Sequence, residues 1–129
     1  MSEPNGALAG RVVVVIEDDA LQRLAQCMML DTWGCQVAAA GSAAEAEQVV
    51  RTLTTPPDII LSDVWLPDGA AGEEAIARLR WMVGRDVPAL LLTGDTDRRQ
   101  TLPRTRVLYK PYPPATLFAA MVDLLPSGL

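Results

Sequence analysis

Five polar side chains stand where apolar runs of the sequence end. They are Glu17, Asp18, Asp63, Thr93 and Lys110. Taken singly, an acid after a strand is typical of a solvated turn or a helix cap. A threonine that ends a strand and a lysine before proline are equally ordinary. The set is not ordinary, because each of its members is a group that a phosphoryl-transfer site uses.

The chemistry of such a site follows from the residue types. Carboxylates crowded at one point repel one another and require a cation, and a partly open site with only oxygen ligands favours Mg²⁺. A bound metal would allow the ionised Asp63 to approach an anionic phosphoryl group as a nucleophile. A lysine and a hydroxyl can then stabilise the charge of the transferred group.

The elements that must position these groups can be predicted from the hydrophobic pattern. Uninterrupted apolar runs are typical of parallel strands buried on both faces. They predict strands over 12–16, 35–40, 59–61, 89–92 and 107–109. Helical patterns lie between them, and Leu21, Leu24, Cys27 and Met28 recur at the spacing of an amphipathic first helix.

Three further helices complete the alternation. A capping box at 42–45 begins the second, the third covers 72–82, and the last covers 114–125. Alternating strands and helices imply right-handed crossovers and a doubly wound parallel sheet, an α/β fold. Sites in such sheets form beyond the carboxyl ends of the strands, at the topological switch point. The predicted second strand carries no such group at its end.

Composition limits the possible functions. The 129 residues suit one domain, predicted over 11–126 after a flexible segment 1–10. A net charge of −5 argues against nucleic-acid binding. The exception is the arginine cluster of Arg98, Arg99, Arg104 and Arg106, interpreted as a solvated face, with an acidic partner or an internal ion pair as alternatives.

The cellular environment can also be predicted. The first ten residues lack the basic and apolar parts of a secretory signal, and the apolar run 12–16 is too short to span a bilayer. We therefore expect a cytoplasmic protein without membrane insertion. Cys27 and Cys35 are expected to be free thiols in a reducing compartment.

Four motifs, in order along the chain, carry a resemblance to a known family. They read Val-Val-Ile-Glu-Asp-Asp, Leu-Ser-Asp-Val-Trp-Leu-Pro-Asp-Gly, Leu-Leu-Thr-Gly and Leu-Tyr-Lys-Pro-Tyr. Together they resemble the response-regulator receiver family of two-component signalling over nearly the whole chain. The resemblance implies the flavodoxin-like topology, with strand order 2-1-3-4-5.

The resemblance also implies a role for each site residue. Asp63 matches the aspartate that takes a phosphoryl group from a histidine kinase or phosphotransfer protein. Asp18 matches the direct acidic ligand of Mg²⁺, and Glu17 the acid that acts through a metal-bound water. The backbone carbonyl of Trp65 matches a further metal ligand. Thr93 and Lys110 match the hydroxyl and the ammonium that contact the phosphoryl group.

Two secondary features follow from the same resemblance. The Lys110–Pro111 peptide bond is expected to be cis, and Asp19 is expected to cap the first helix rather than bind metal.

The resemblance does not extend to the fourth crossover. The segment between Thr93 and Lys110 is shorter than the family usually has, so a short or irregular fourth helix is predicted. Val107 also stands where receivers commonly carry an aromatic residue that moves on activation. The short crossover resembles receivers fused to hybrid histidine kinases.

Rival functions fit the sequence less well. A haloacid-dehalogenase-type phosphatase would need a second aspartate two positions after Asp63, where Trp65 stands. A P-loop is absent from the sequence, and three acids after the first strand would repel a flavin phosphate. The remaining alternative is a degenerate receiver that binds partner proteins without being phosphorylated.

Overall fold

A computed structural model describes residues 6–64, 71–95 and 102–126 of the chain. Its centre is a sheet of five parallel strands in the order β2-β1-β3-β4-β5. The strands are β1 (Val12–Ile16), β2 (Gln36–Ala40), β3 (Ile59–Asp63), β4 (Ala89–Thr93) and β5 (Thr105–Tyr109). The predicted α/β fold and strand order are confirmed.

Helices cover both faces of the sheet. Those in the described residues are α1 (Ala20–Thr32), α2 (Ala43–Thr52), α3 (Gly72–Val83) and α4 (Pro114–Leu124). Because side chains alternate along a strand, Val13 and Val15 pack with the core that includes Leu30 of α1 and Leu117 of α4. Val14 and Ile16 pack on the opposite face, with the core that includes Ile76 of α3. Coverage on both sides explains why the central strands are apolar without interruption.

The first helix forms as predicted, but its apolar stripe does not face the core. Leu21, Leu24 and Met28 are 78%, 56% and 61% exposed, whereas the buried residues of α1 are Gln26 and Leu30. The stripe of an amphipathic helix ordinarily packs inward. In α1 the inward side is instead built around Leu30, so the apolar residues that indicate the helix in the sequence are not the residues that it buries. The structure leaves an apolar face on the surface, and exposed apolar faces of this kind are typical of protein contacts.

The segment before β1 belongs to the packed structure from residue 6 onward. Leu8 is fully buried in the core shared by α1 and α4. The Gly10 N–H donates to the Gly34 carbonyl at 2.8 Å, which ties the segment to the turn after α1. Residues 6–10 therefore depart from the flexible segment predicted for 1–10, because one leucine provides enough apolar surface to anchor them. Residues 1–5 lie outside the described part.

The connection from β4 to β5 is the least regular part of the fold. Residues 94, 95 and 102–104, the described part of the connection, contain no helix. The prediction of a short fourth helix falls largely on residues 96–101, outside the described ranges, and stays a prediction. The end of the connection next to β5 is hydrogen-bonded to Arg80 of α3, whose side chain is almost fully buried. The Arg80 guanidinium donates to the Val87 and Arg104 carbonyls and to the Thr105 hydroxyl.

The two described members of the arginine cluster, Arg104 and Arg106, make different contacts. Arg106 pairs with Asp123 of α4 at 3.5 Å, an exposed ion pair within the chain. The Arg104 carbonyl accepts from Ala89 and from Arg80 at the start of β5. Arg98 and Arg99 fall outside the described residues. For Arg106, the structure therefore has the internal ion pair that was one of the predicted alternatives. Exposed ion pairs of this kind add little stability.

Two further predictions concern the thiols and the membrane. Both cysteines of the chain are free thiols, Cys35 buried and Cys27 partly so. Burial raises the pKa of Cys35 to about 11, which suits an inert core thiol. Among the described helices, none is long and apolar enough to cross a membrane.

Candidate functional site

The register of the sheet brings the predicted residues to one edge. In the β1–β3 pair, Ile16 lies opposite Ser62. Glu17 comes directly after Ile16 and Asp63 directly after Ser62, so the two acids leave neighbouring strands at the same level. On the other side Asp63 lies opposite Leu92 of β4. The carboxyl ends of β1, β3 and β4 therefore meet at the point where the strand order reverses, which is where sites form in such sheets.

Three carboxylates converge at this edge. Glu17, Asp18 and Asp63 each place one oxygen so that the three atoms lie within 4.8 Å of one another. Glu17 is only 2% exposed, Asp18 is exposed and Asp63 is intermediate. The site is thus closed on the Glu17 side and open at Asp18. An open oxygen cluster of this size is typical of a Mg²⁺ site that keeps several waters.

Lys110 supplies the positive charge. Its Nζ lies 3.2 Å from Asp63 Oδ1 and 3.8 Å from Glu17 Oε1. It is the only lysine of the chain; the other cationic side chains are arginines. The Lys110 backbone N–H donates to the Thr93 carbonyl at 2.7 Å, and the Lys110–Pro111 bond is cis, as the resemblance implies.

Glu17 carries the strongest electrostatic perturbation of the site. Burial raises its pKa to about 7, and the neighbouring Asp63 adds to the rise, while the Asp19 N–H and Lys110 oppose it. Glu17 Oε2 accepts from the Asp19 N–H at 3.1 Å, but the buried Oε1 has no hydrogen-bond partner. The ammonium thus contacts two of the three converging acids, Asp63 and Glu17, and one buried carboxylate oxygen of Glu17 has no hydrogen-bond donor. Both observations fit a further cation at the cluster.

The other predicted residues are placed as follows. Thr93 ends β4, and its hydroxyl accepts from the Asp95 N–H at 3.0 Å; within the described ranges no hydrogen bond joins it to Asp63. Asp19 caps α1 as predicted, its Oδ1 accepting from the Gln22 N–H at 3.0 Å. Trp65, whose carbonyl was predicted as a metal ligand, lies outside the described residues.

Gly72 fixes the approach of α3 to the strand that carries Asp63. A Cβ built at Gly72 would lie 2.2 Å from the Asp63 carbonyl oxygen and 2.9 Å from Leu91 Cδ2. The Gly72 N–H donates to the Val64 carbonyl across the same contact. Because even a Cβ atom would clash with the end of β3, only glycine fits at position 72. Its position at the first residue of a predicted helix gave no indication of this role.

Gln22 was also absent from the sequence-based site. Its side-chain Oε1 lies 3.2 Å from Lys110 Nζ, a contact between residues 88 positions apart in the chain. Gln22 falls in the first turn of α1, where a polar exposed residue is unremarkable in sequence. Only the fold brings the start of α1 to the end of β5, so no local pattern could have revealed this contact.

Comparison with known proteins decides the family. Residues 13–121 match the family model described as the response regulator receiver domain. The chain belongs to the response regulator receiver family. The matched range contains Glu17, Asp18, Asp63, Thr93 and Lys110, all of β2 to β5, and β1 from its second residue onward.

Individual relatives agree with this membership. The phosphate regulon transcriptional regulatory protein PhoB of Escherichia coli is 34% identical over 116 residues, covering 84% of this chain and 49% of PhoB. The chain thus spans about half the length of the curated relatives it matches. The chemotaxis response regulator CheY4 of Vibrio cholerae has a similar structure (TM-score 0.79, 26% identity, 91% of this chain and all of CheY4).

A receiver from a hybrid kinase is also similar. The receiver domain of the hybrid histidine kinase CckA superimposes with a TM-score of 0.74 at 25% identity, covering 91% of this chain and all of that one. Its similarity to this chain is that of one receiver domain to another.

Proposed function

We propose that this receiver domain is a phosphoacceptor that takes a phosphoryl group on Asp63 from a histidine kinase or a phosphotransfer protein. The observation that carries the proposal is the convergence of Asp63 with two further carboxylates and the Lys110 ammonium at one strand edge. An isolated acidic cluster would support metal binding only. The ammonium 3.2 Å from Asp63 adds the partner that a bound phosphoryl group requires.

The transfer is written for a phosphohistidine donor. A carboxylate oxygen of Asp63 attacks phosphorus, a P–O bond forms and the P–N bond to the donor imidazole breaks. The imidazole keeps the electron pair and takes up a proton. Lys110, already beside Oδ1 of Asp63, pairs with the transferred group, and the Thr93 hydroxyl at the end of β4 is proposed as a second contact.

Mg²⁺ is the cofactor that the donor set supports. Glu17, Asp18 and Asp63 would hold it, together with the predicted backbone carbonyl of Trp65, and it would offset the repulsion between these acids and an incoming phosphoryl group. Hydrolysis returns the domain to its starting state: water attacks phosphorus, the bond to Asp63 breaks and phosphate leaves. On this account the domain is a signalling phosphoprotein that catalyses only its own phosphorylation and dephosphorylation.

The proposed partner is a protein, since α1 offers a surface for one. The exposed side chains of Leu21, Leu24 and Met28 form an apolar face that begins three residues after Asp18. We propose that the phosphodonor protein covers this face while it presents its histidine to Asp63. A cytoplasmic location without nucleic-acid contacts of this domain completes the proposal, in keeping with its net charge of −5.

A charge placed in the apolar face of α1 should slow phosphoryl transfer from a protein donor without slowing transfer from a small-molecule donor. With a histidine kinase found by profiling purified kinases, Leu24→Glu is expected to slow transfer at least about tenfold, the cost of one unfavourable interface group. The rate with acetyl phosphate should not change. Trp81→Glu is the matched control, because Trp81 is 72% exposed on α3. Equal transfer rates for the parent and Leu24→Glu would remove α1 from the interface.

The alternative function is a degenerate receiver that signals through protein contacts without phosphorylation. It is favoured by the segment between Thr93 and Lys110, which is shorter than the family usually has. The two functions are separated by incubating the chain with acetyl phosphate and Mg²⁺ and measuring its intact mass. The proposal predicts one added phosphoryl group that hydroxylamine removes, as expected of an acyl phosphate. No adduct together with no Mg²⁺ binding would establish the degenerate receiver.

A further inference from the structure

Lys110 has one neighbour that none of the assigned roles explains. Three acceptors surround its Nζ: Asp63 Oδ1 at 3.2 Å, Gln22 Oε1 at 3.2 Å and Glu17 Oε1 at 3.8 Å. Two are carboxylates of the acidic cluster. The third is the neutral side-chain amide of Gln22, in the first turn of α1 and 88 positions from Lys110 in the chain. An ammonium has three N–H groups, so one of them is available to this amide.

Gln22 is itself hydrogen-bonded to the loop of residues 17–19 that follows β1. Its backbone N–H donates to Asp19 Oδ1 at 3.0 Å, and the Asp19 N–H donates to Glu17 Oε2 at 3.1 Å. With the contacts of Lys110 to Gln22 and Asp63, these bonds connect the end of β1, the first turn of α1 and the end of β5. The backbone of Gln22 is therefore fixed by helix capping on the same loop that carries Glu17 and Asp18, and its side chain extends from that fixed point to Lys110.

The neutrality of Gln22 matters for phosphoryl transfer. A carboxylate at this position would hold the ammonium equally well but would neutralise it and would add a negative charge beside an anionic substrate. An amide oxygen orients the ammonium without removing its charge. A long lysine side chain otherwise loses substantial rotamer freedom when it is fixed at a phosphoryl group. Pre-orienting that group lowers the cost at the moment of transfer.

We infer that Gln22 is a positioning residue that holds Lys110 in place to receive the phosphoryl group on Asp63. The inference rests on the proposed function, since it assigns the residue that prepares the lysine for that reaction. It predicts that Gln22→Leu slows phosphorylation by acetyl phosphate about three- to tenfold, the factor that one net hydrogen bond corresponds to. In that reaction a P–O bond to Asp63 forms, and the P–O bond to acetate breaks as acetate leaves.

The control variant makes the same change at a distant site. Gln48→Leu replaces an exposed glutamine of α2, and glutamine and leucine have similar helix propensities, so both variants should remain folded. The effect must also depend on the lysine. In a Lys110→Ala background, Gln22→Leu should cause no further loss of rate, because the group that it positions is gone.

A second measurement reads the lysine directly. Because Lys110 is the only lysine of the chain, ¹³C-labelled lysine gives one set of ε-methylene NMR signals. In the unphosphorylated protein, Gln22→Leu should narrow these signals and shift them towards those of a free lysine, and Gln48→Leu should leave them unchanged.

The inference is overturned if Gln22→Leu matches Gln48→Leu in rate and in NMR signals. It is equally overturned if Gln22→Leu slows the reaction by the same factor when Lys110 is absent. Failure of the proposed function looks different: the parent itself would acquire no phosphoryl group. The NMR comparison would then still show whether Gln22 restrains Lys110, so the two failures are distinguishable.

Discussion

Replacing Gly72 by alanine is expected to lower the free energy of unfolding by about 3 kcal/mol, the upper end of what overpacking typically costs. Helix propensity alone predicts the opposite sign, because alanine inside a helix is better than glycine by about 1 kcal/mol. Space decides the outcome. The new Cβ would lie 2.2 Å from the Asp63 carbonyl oxygen, a backbone atom that cannot rotate away. Either α3 or the end of β3 must move.

Urea-induced unfolding of the parent and Gly72→Ala measures this effect. Gly94→Ala is the control, since a Cβ at Gly94 meets no atom within 4 Å and the change should be nearly neutral for stability. Because the displaced atom belongs to Asp63, the folded fraction of Gly72→Ala should also be phosphorylated more slowly. A Gly72→Ala protein as stable as the parent would show that α3 approaches the strand less closely than described.

Replacing Asp18 by asparagine is expected to weaken Mg²⁺ binding at least about tenfold, because affinity for hard cations follows the number of charged ligands. The substitution keeps the shape of the side chain and removes one of three converging carboxylates. Asp18 is exposed, so the fold should be unaffected. Isothermal titration calorimetry with MgCl₂ is the measurement.

The control for this prediction is Asp31→Asn. Asp31 is an exposed aspartate near the end of α1, so the variant has the same change in net charge. A general electrostatic effect would weaken binding equally in both variants. If Asp18→Asn bound Mg²⁺ as tightly as the parent, the converging carboxylates would not be the metal site.

The parts of the site that lie on strand ends could be predicted from sequence. The apolar runs 12–16 and 59–61 predict buried strands because both faces of the sheet are covered, and parallel strands place their carboxyl ends at one edge. Glu17, Asp18, Asp63 and Lys110 meet there for that reason. Asp19 was likewise predictable, because an N-cap depends on residues only a few positions away.

Contacts that depend on how the helices sit were not predictable. The apolar spacing of α1 indicated a helix, but it did not show that Leu24 and Met28 face solvent while Leu30 packs into the core. Leu8 lies in a short polar segment, and nothing local shows that the core has room for it. Gln22 meets Lys110 only through the tertiary fold. In each case the deciding partner is distant in sequence.

Intact mass of the parent and of Asp63→Asn, followed over time with acetyl phosphate, tests the phosphoacceptor function most directly. Each protein is incubated once with MgCl₂ and once with EDTA. The account predicts one phosphoryl group on the parent in the presence of Mg²⁺, and none on the parent with EDTA or on Asp63→Asn. The same adduct on Asp63→Asn, or a parent that is modified equally well in EDTA, would contradict it.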